Sequence, residues 1–458
     1  MSGSTRLSGA SSQRRVVRQR AGRTGKCLAV APARPGDYPA TQSFLGSVFR
    51  GSTPAEFRAT IEDPTHEPGD RLLLKRGHEV LGHALVTHRT MWLGPTVVSA
   101  AGLQALATAP VLQRQGFGAL LLRRAERHMV DEGHSLGLLA TTLPEFFARF
   151  GWVACGRRNE YGACVCKVLS VLAAKGLYPK IRKPLDIRPL RRMEISRVAE
   201  IYRLNVWQRR GPLERSEAYW QWLVNRGAYH EFLVAIDRRG MRRSSSSDAP
   251  IVGYAVLRGD RIVELFTLPD HGSAGIQLLS RVCGEAIERG VDTLRIDLAP
   301  RHPLTRLLKS AGALKLDGGC QRGETLMAKV LCPEQMIERL GTDLASRAAA
   351  AELPLPLDFG LAVGNQKYRL SIDSDSSDTA DGQASLPRPA SVATGSIGRS
   401  YLRLDPGQLT RLLLSQFDWN SASGSEPSTR LARQAATALF PYRTLWRPVF
   451  DDLPSVGR

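Results

Sequence analysis

The sequence predicts two successive α/β units with mixed sheets, followed by a small α+β domain. Three observations carry that reading. A strand, a glycine turn and an amphipathic helix follow one another between Leu103 and Val130, the centre of a βαβ crossover. The same succession of elements restarts near residue 185, about 160 residues after the first copy begins. From Cys332 the pattern changes to longer helices around a few strands. At about 150 residues per domain, 458 residues fit three domains.

Taken in order, the apolar run from Cys27 to Ala33 reads as a strand and Asp37 to Phe49 as a helix. Arg71 to Lys75 and Val80 to His88 form a hairpin about Gly77. Leu103 to Thr108 is a strand ended by Ala109-Pro110. Gly118 to Val130 carries Leu121, Leu122, Ala125 and Met129 at helical spacing, and Gly133 stops it. Leu136 to Ala140 is a short buried strand. Thr142-Leu143-Pro144-Glu145 reads as a capping box opening a short helix, which Gly151 closes. Residues 152–155 and 161–169 are strand-like and finish this unit.

The second copy opens on Ile187-Arg188-Pro189 and a helix from Met193 to Leu204. Strands Phe232 to Ile236 and Ile251 to Leu257 flank a basic, serine-rich loop, Arg238 to Asp248. A strand from Arg261 to Leu268, a helix from Gly275 to Arg289, a strand from Leu294 to Leu298 and a short helix from Leu304 to Ser310 complete it. The third region holds a helix from Glu334 to Ala351, strands near Leu357 to Leu361 and Tyr368 to Ile372, and a polar stretch from Asp373 to Ser400 expected as a loop. Asp405-Pro406 then opens a helix with Leu409, Leu412 and Leu413 on one face, and a last helix spans Thr429 to Leu439. The expected boundaries are 1–26 for a tail, then 27–175, 185–332 and 333–458.

Hydrophobic residues make up 43% of the chain, which excludes wholesale disorder. No apolar run approaches the ~20 residues that span a bilayer, and no secretory signal is recognisable. Seven cysteines, an odd number spread thinly, do not describe a disulfide scaffold, so a cytoplasmic protein is expected. The formal charge is +20, of which Arg6, Arg14, Arg15, Arg18, Arg20, Arg23 and Lys26 supply seven with no acidic residue among them. A tail of that composition, residues 1–26, cannot bury a core and is expected to be disordered. It reads first as a solvated tail; RNA, DNA or membrane-surface binding is a lesser reading, and its composition also fits a presequence. A second basic cluster, from Lys175 to Arg192, falls between the two copies.

The informative segment runs from Leu106 to Gly118: Leu-Ala-Thr-Ala-Pro-Val-Leu-Gln-Arg-Gln-Gly-Phe-Gly. Backbone N–H groups at a helix start point outward, and the helix dipole adds partial positive charge there. Glycine lets a pyrophosphate approach such a backbone closely, and Arg114 would add a charge-assisted contact. The segment resembles motif A of the GNAT acetyltransferases, a Gln/Arg-x-x-Gly-x-Gly/Ala turn that cradles the pyrophosphate of acetyl-CoA. Gln113, Gly116 and Gly118 match its fixed positions, and Phe147-x-x-x-Gly151-Trp152 matches the family's aromatic-x-x-x-Gly-aromatic ending. A full G-x-G-x-x-G, a Walker turn, a G-x-S-x-G elbow and an H-E-x-x-H helix are all absent from the sequence.

Two such units followed by a smaller α+β domain are similar to the Eis-type acetyltransferases: an active GNAT domain, a degenerate second one and a sterol-carrier-protein-like C-terminal domain. The resemblance implies an acetyl-CoA-dependent N-acetyltransferase without a metal, acting on a primary amine, and a homo-oligomer. It implies cosubstrate contacts from Leu106, Ala107 and Thr108, then Gln113, Arg114, Gln115, Gly116, Phe117, Gly118 and Ala119, with Thr141 and Thr142 beside the pantetheine arm. The backbone N–H groups of 106–108 would polarise the thioester carbonyl. In the second copy the matching turn is Asp270-His271-Gly272-Ser273-Ala274-Gly275, whose Asp270 would repel a phosphate, so that copy reads as structural.

Two departures from the family concern catalysis. The general-acid tyrosine is replaced by Phe147. That loss leaves a second reading open, a catalytically weakened CoA- or lipid-binding protein. Tyr161 is a hydroxyl from elsewhere. Eis-like enzymes use the terminal carboxylate as base, but here Phe450 is followed by Asp451, Asp452 and six further residues. Asp451 or Asp452 as substitute bases, a solvated acidic tail, and His83 or His88 as either bases or hydrogen-bonded structural residues all stay open. Cys164-x-Cys166 reads as two buried small residues on one face of a strand. The remaining +13 of the body would repel polycations such as aminoglycosides, so the acceptor is left as any small-molecule or protein amine.

Overall fold

The computed structural model describes residues 17–19, 28–49, 53–156, 159–179, 183–238, 250–316, 325–373, 388–419 and 427–452. They fall into two compact units. One comprises 1–52, 67–86 and 104–128, the other 53–66, 87–103 and 129–458.

In the first unit four strands are joined in sequence by three antiparallel ladders. Val17–Gln19 pairs with Leu28–Pro32, that strand with Arg71–Arg76, and Arg71–Arg76 with the first half of Glu79–Leu93. The three-residue strand is the described part of the basic tail, which was expected to hold no structure. Its other residues lie outside the described set. Helices Tyr38–Val48 and Phe117–Asp131 contribute Phe44, Leu45, Leu121, Leu122 and Ala125 to an apolar core with Leu28, Val30, Leu72 to Leu74, Leu81 and Leu85. Gly82 is required here. A Cβ on it would lie 2.9 Å from Leu121 Cδ1 and 3.1 Å from the Ala107 carbonyl, so only glycine lets the strand approach the helix and the segment 104–108 this closely.

The second unit contains the rest of the expected repeat. Residues 100–103 of strand Thr96–Thr108 run parallel to 136–139 of Leu136–Thr141. On its other edge Leu136–Thr141 pairs antiparallel with Thr325–Val330, which pairs in turn with Val153–Ala154. A seven-stranded sheet follows in the order Leu314–Leu316, Glu160–Cys164, Thr293–Asp297, Arg261–Thr267, Ile251–Arg258, Glu231–Ile236, Asp186–Pro189. The two sheets therefore exchange strands. Glu160–Cys164 precedes the second copy in the chain yet sits inside its sheet, and Thr325–Val330, at the end of the second copy, joins the sheet of the first. Buried Glu160 holds the exchanged strand, accepting from Arg295 at 2.5 Å and Arg261 at 3.3 Å, while Arg261 also reaches Asp297 at 2.5 Å.

The third region is α+β as expected. Four strands lie in the order Ser391–Thr394, Gln366–Ile372, Leu357–Val363, Tyr401–Leu404, with helices Pro333–Ala350, Pro406–Leu413 and Arg430–Leu439. Asp405 caps its helix through a full capping box with Gln408.

Several sequence expectations are corrected. Residues 161–169 are not one strand: the chain turns helical at Val165 and runs to Ala174. Cys166 thus lies exposed on that helix while Cys164 ends the strand, and the pair shares no strand face. The polar stretch 373–400 contains strand Ser391–Thr394, although 374–387 lie outside the described residues. Helix Glu217–Asn225 and strand Arg210–Leu213 were not anticipated. The strand was hidden by Pro212, which survives because the pairing with Leu93 and Met91 is irregular there. No helix among the described residues is long and apolar enough to cross a membrane.

Candidate active site

The glycine turn lies wholly in the first unit. The strand from Thr96 ends at Thr108. Ala109 donates its N–H to the Leu81 carbonyl at 2.8 Å, and Pro110 to Leu112 make a single 3-10 turn. Arg114 and Gly116 both take positive φ, +59° and +87°. Two left-handed residues in such quick succession reverse the chain and start helix Phe117–Asp131, whose first intrahelical bond runs from the Leu120 N–H to the Gly116 carbonyl at 3.0 Å. The N–H groups of that first turn have no intrahelical acceptor. Open space surrounds Gly116, with nothing within 4 Å of where a Cβ would stand. Gln113, Arg114 and Gln115 are exposed, and Gln115 folds back to donate to the Val111 carbonyl at 2.8 Å. The turn is an exposed helix start with uncommitted first-turn N–H groups and exposed Arg114 beside them in sequence, a combination suited to an anion.

Just before it, Ala105 has φ +49°, an uncommon conformation for a residue with a side chain. His83, wholly buried, holds its carbonyl: Nδ1 lies 2.8 Å from the Ala105 oxygen. The other ring nitrogen, Nε2, lies 3.2 Å from Nη1 of buried Arg71. Burial pushes the His83 pKa down to about 3, against the Ala105 bond and with help from Arg71, and burial lowers Arg71 to about 10. Neutral His83 beside a charged Arg71 is the state at neutral pH.

The remaining expected residues belong to the second unit. Thr141 ends strand Leu136–Thr141 and accepts the Leu143 N–H at 2.9 Å. Thr142 is exposed and is not the helix cap: helix Pro144–Ala148 has Leu143 at that position, without a side-chain cap. The capping-box expectation fails: the helix starts one residue later than expected, and no side chain accepts from its first turn. Phe147 is buried edge-on to Trp152, whose ring tip lies 2.7 Å from where a Cβ on Gly137 would stand. Tyr161 is buried on the exchanged strand, its hydroxyl 3.3 Å from Asn159.

Residues 29–155 match the family model described as an acetyltransferase (GNAT) domain. The chain carries a GNAT acetyltransferase domain. A GCN5-related N-acetyltransferase from Anabaena variabilis is similar in structure at TM-score 0.66 and 17% identity, over 92% of this chain and 99% of that one. Another from Kribbella flavida is similar at TM-score 0.66 and 15% identity, over 92% and 97%. Eis1 from Mycobacterium abscessus is similar at TM-score 0.58 and 15% identity, over 92% and 98%. At these identities the likeness is one of fold, and the architecture is Eis-like. No curated protein matches by sequence.

Beyond the GNAT turn, the candidate bases are accounted for by structural bonds. His88 Nδ1 lies 2.6 Å from Nε2 of His134, which bonds Ser99 through Nδ1 at 2.7 Å. The acidic pair near the terminus is not a solvated tail. Asp451 is buried and receives two bonds from Arg215, at 2.9 and 3.0 Å, while Asp452 pairs with Arg447 at 2.8 Å. Arg215 also forks onto Glu264 at 2.9 and 2.7 Å beneath the Tyr202 ring, and these two carboxylates raise its pKa well above the ordinary arginine value despite burial. Both Asp451 carboxylate oxygens are thus occupied by Arg215. The signal for this network was absent from the sequence because Arg215, Glu264 and Asp451 are distant in the chain. Among the described residues no group of three or more His, Cys, Asp or Glu side chains could hold a metal ion.

Proposed function

We propose that the GNAT domain is an acetyl-CoA-dependent N-acetyltransferase acting on a primary amine. The observation that carries this is the exposed turn at Gly116, where two positive-φ residues, Arg114 and Gly116, lead into the helix Phe117–Asp131 and nothing crowds the glycine. A pyrophosphate would take those donors, with Gln113 to Ala119 as the cradle. The neutral amine nitrogen attacks the thioester carbonyl carbon, a C–N bond forms, and the tetrahedral oxyanion is held by backbone N–H groups of 106–108. The C–S bond then breaks, the amine loses its extra proton to solvent, and CoA departs as thiolate. Phe147 offers no proton to it. A thiol of ordinary pKa, about 8.5, makes a tolerable leaving group without one, and the missing acid would be worth about 10²–10⁴ in rate. Unpaired Cys155, Cys164, Cys166, Cys283 and Cys332 suit a cytoplasmic setting.

The test is calorimetric titration of acetyl-CoA into wild type, Gly116→Asp and Arg114→Glu, with thiol release followed on the same samples against a panel of amines. Binding with release that both variants lose supports the reading. Absence of acetyl-CoA binding by wild type rejects it. Phe147 and the engaged Asp451 favour a second reading, a domain that binds acetyl-CoA and turns it over slowly or not at all. Binding without release selects that one.

A further inference from the structure

We infer that His83 and Arg71 are positioning residues that turn the Leu106 N–H into an oxyanion donor, by fixing the Ala105 carbonyl to a single imidazole tautomer. This rests on the acetyltransferase reading above.

A guanidinium has five N–H donors and no acceptor, so the 3.2 Å contact between Arg71 Nη1 and His83 Nε2 makes Nε2 an acceptor. A neutral imidazole carries one N–H, and it must then be Nδ1–H. That proton is directed at the Ala105 carbonyl, 2.8 Å away. The chain of donors runs one way: Arg71 to His83 to Ala105. Both side chains are buried, so water cannot compete for either bond.

The consequence follows from peptide geometry. In a trans peptide the C=O of one residue and the N–H of the next point in opposite directions. Ordinary strand carbonyls bond the backbone of a neighbouring strand. Here the Ala105 carbonyl meets a side chain, and its φ of +49° marks a local break in the strand three residues before its end at Thr108. With that carbonyl held by His83, the Leu106 N–H is directed away from His83. Leu106 opens the segment 106–108 that leads into the glycine turn. A donor fixed before the substrate arrives needs no reorganisation when the oxyanion forms.

The experiment uses the full chain with acetyl-CoA labelled with ¹³C at the thioester carbonyl, read by isotope-edited infrared spectroscopy. In wild type the bound carbonyl band is expected below its frequency in buffer. In His83→Leu the band is expected to return towards the free value, and thiol release with the most active amine of the panel to fall about 10²-fold, with acetyl-CoA affinity kept. His83→Asn places an amide N–H where Nδ1 stands and is expected to restore both. A structural role alone would not move the carbonyl band. If wild type fails to bind acetyl-CoA, the acetyltransferase reading falls and this inference with it. If wild type shows the shifted band and His83→Leu keeps it, only the inference falls. Should His83→Leu not fold, Arg71→Met carries the test, because it retains the ring but frees Nε2 to take the proton. An imidazole ¹⁵N spectrum still showing Nδ1–H alone, with an unchanged carbonyl band, then overturns the inference.

Discussion

Asp451→Asn isolates what holds the end of the chain. Beside the separately balanced Arg89–Asp63 pair, the cluster around it sets buried Arg215 and half-buried Arg226 against the buried carboxylates Glu264 and Asp451. Arg226 donates to the Phe450 carbonyl, and Tyr254 donates to Glu264 at 2.7 Å. The balance is two against two, so neutralising Asp451 leaves one buried positive charge uncompensated. Breaking a buried pair from one side costs about 3–5 kcal/mol, and the retained amide oxygen keeps part of the hydrogen bonding, so about 3 kcal/mol is expected. At 1.4 kcal/mol per tenfold, that is roughly a hundredfold rise in the opening equilibrium of the segment. Native-state amide hydrogen exchange reads it at Trp446, whose N–H donates to the Arg210 carbonyl at 2.8 Å, and at the residues through Asp452. Asp452→Asn, which breaks a partly exposed pair with Arg447, is the control and should cost at most about 1 kcal/mol. If Asp451→Asn changes exchange no more than Asp452→Asn, apolar packing of Phe450 holds the segment and the charge argument is wrong.

Acid stability has a definite sign. His83 and His302 are pushed by burial to about 3 and about 4, below the ordinary value near 6.5. Between those limits the unfolded chain binds more protons than the folded one. Each histidine therefore contributes stability that is full above pH 6.5 and is lost as pH falls, by about 1.4 kcal/mol per unit, and urea midpoints measured from pH 7 to pH 5 should show it. Phe147→Tyr should raise thiol release by up to about 10²-fold if a missing acid limits turnover, and steady-state rates with an unchanged acetyl-CoA affinity would identify that case. Of the described cysteines, exposed Cys166 should react first with a thiol reagent under native conditions. Cys155 and Cys283, buried with pKa pushed up to about 12, should react only on unfolding, as peptide mapping will report.

The glycine turn and most of the elements around it were legible from local signals in the chain. Gly116 and Gly118, the strand before them and the amphipathic Leu121, Leu122, Ala125 and Met129 face are local signals, because a turn, a helix start and a helix face are each specified within about a dozen residues. The repeat and the α+β third region were legible for the same reason. Tertiary structure decided the rest. A strand's ladder partner is a long-range choice, so the exchange of Glu160–Cys164 and Thr325–Val330 between sheets left no local trace. Arg71, His83 and Ala105 looked like an ordinary cation, a base candidate and a strand alanine. Only their meeting in a dry interior fixes a tautomer and a carbonyl. Asp451 looked like part of a solvated tail, and became a buried ion-pair partner because Arg215 and Glu264, contributed by distant segments, enclose it.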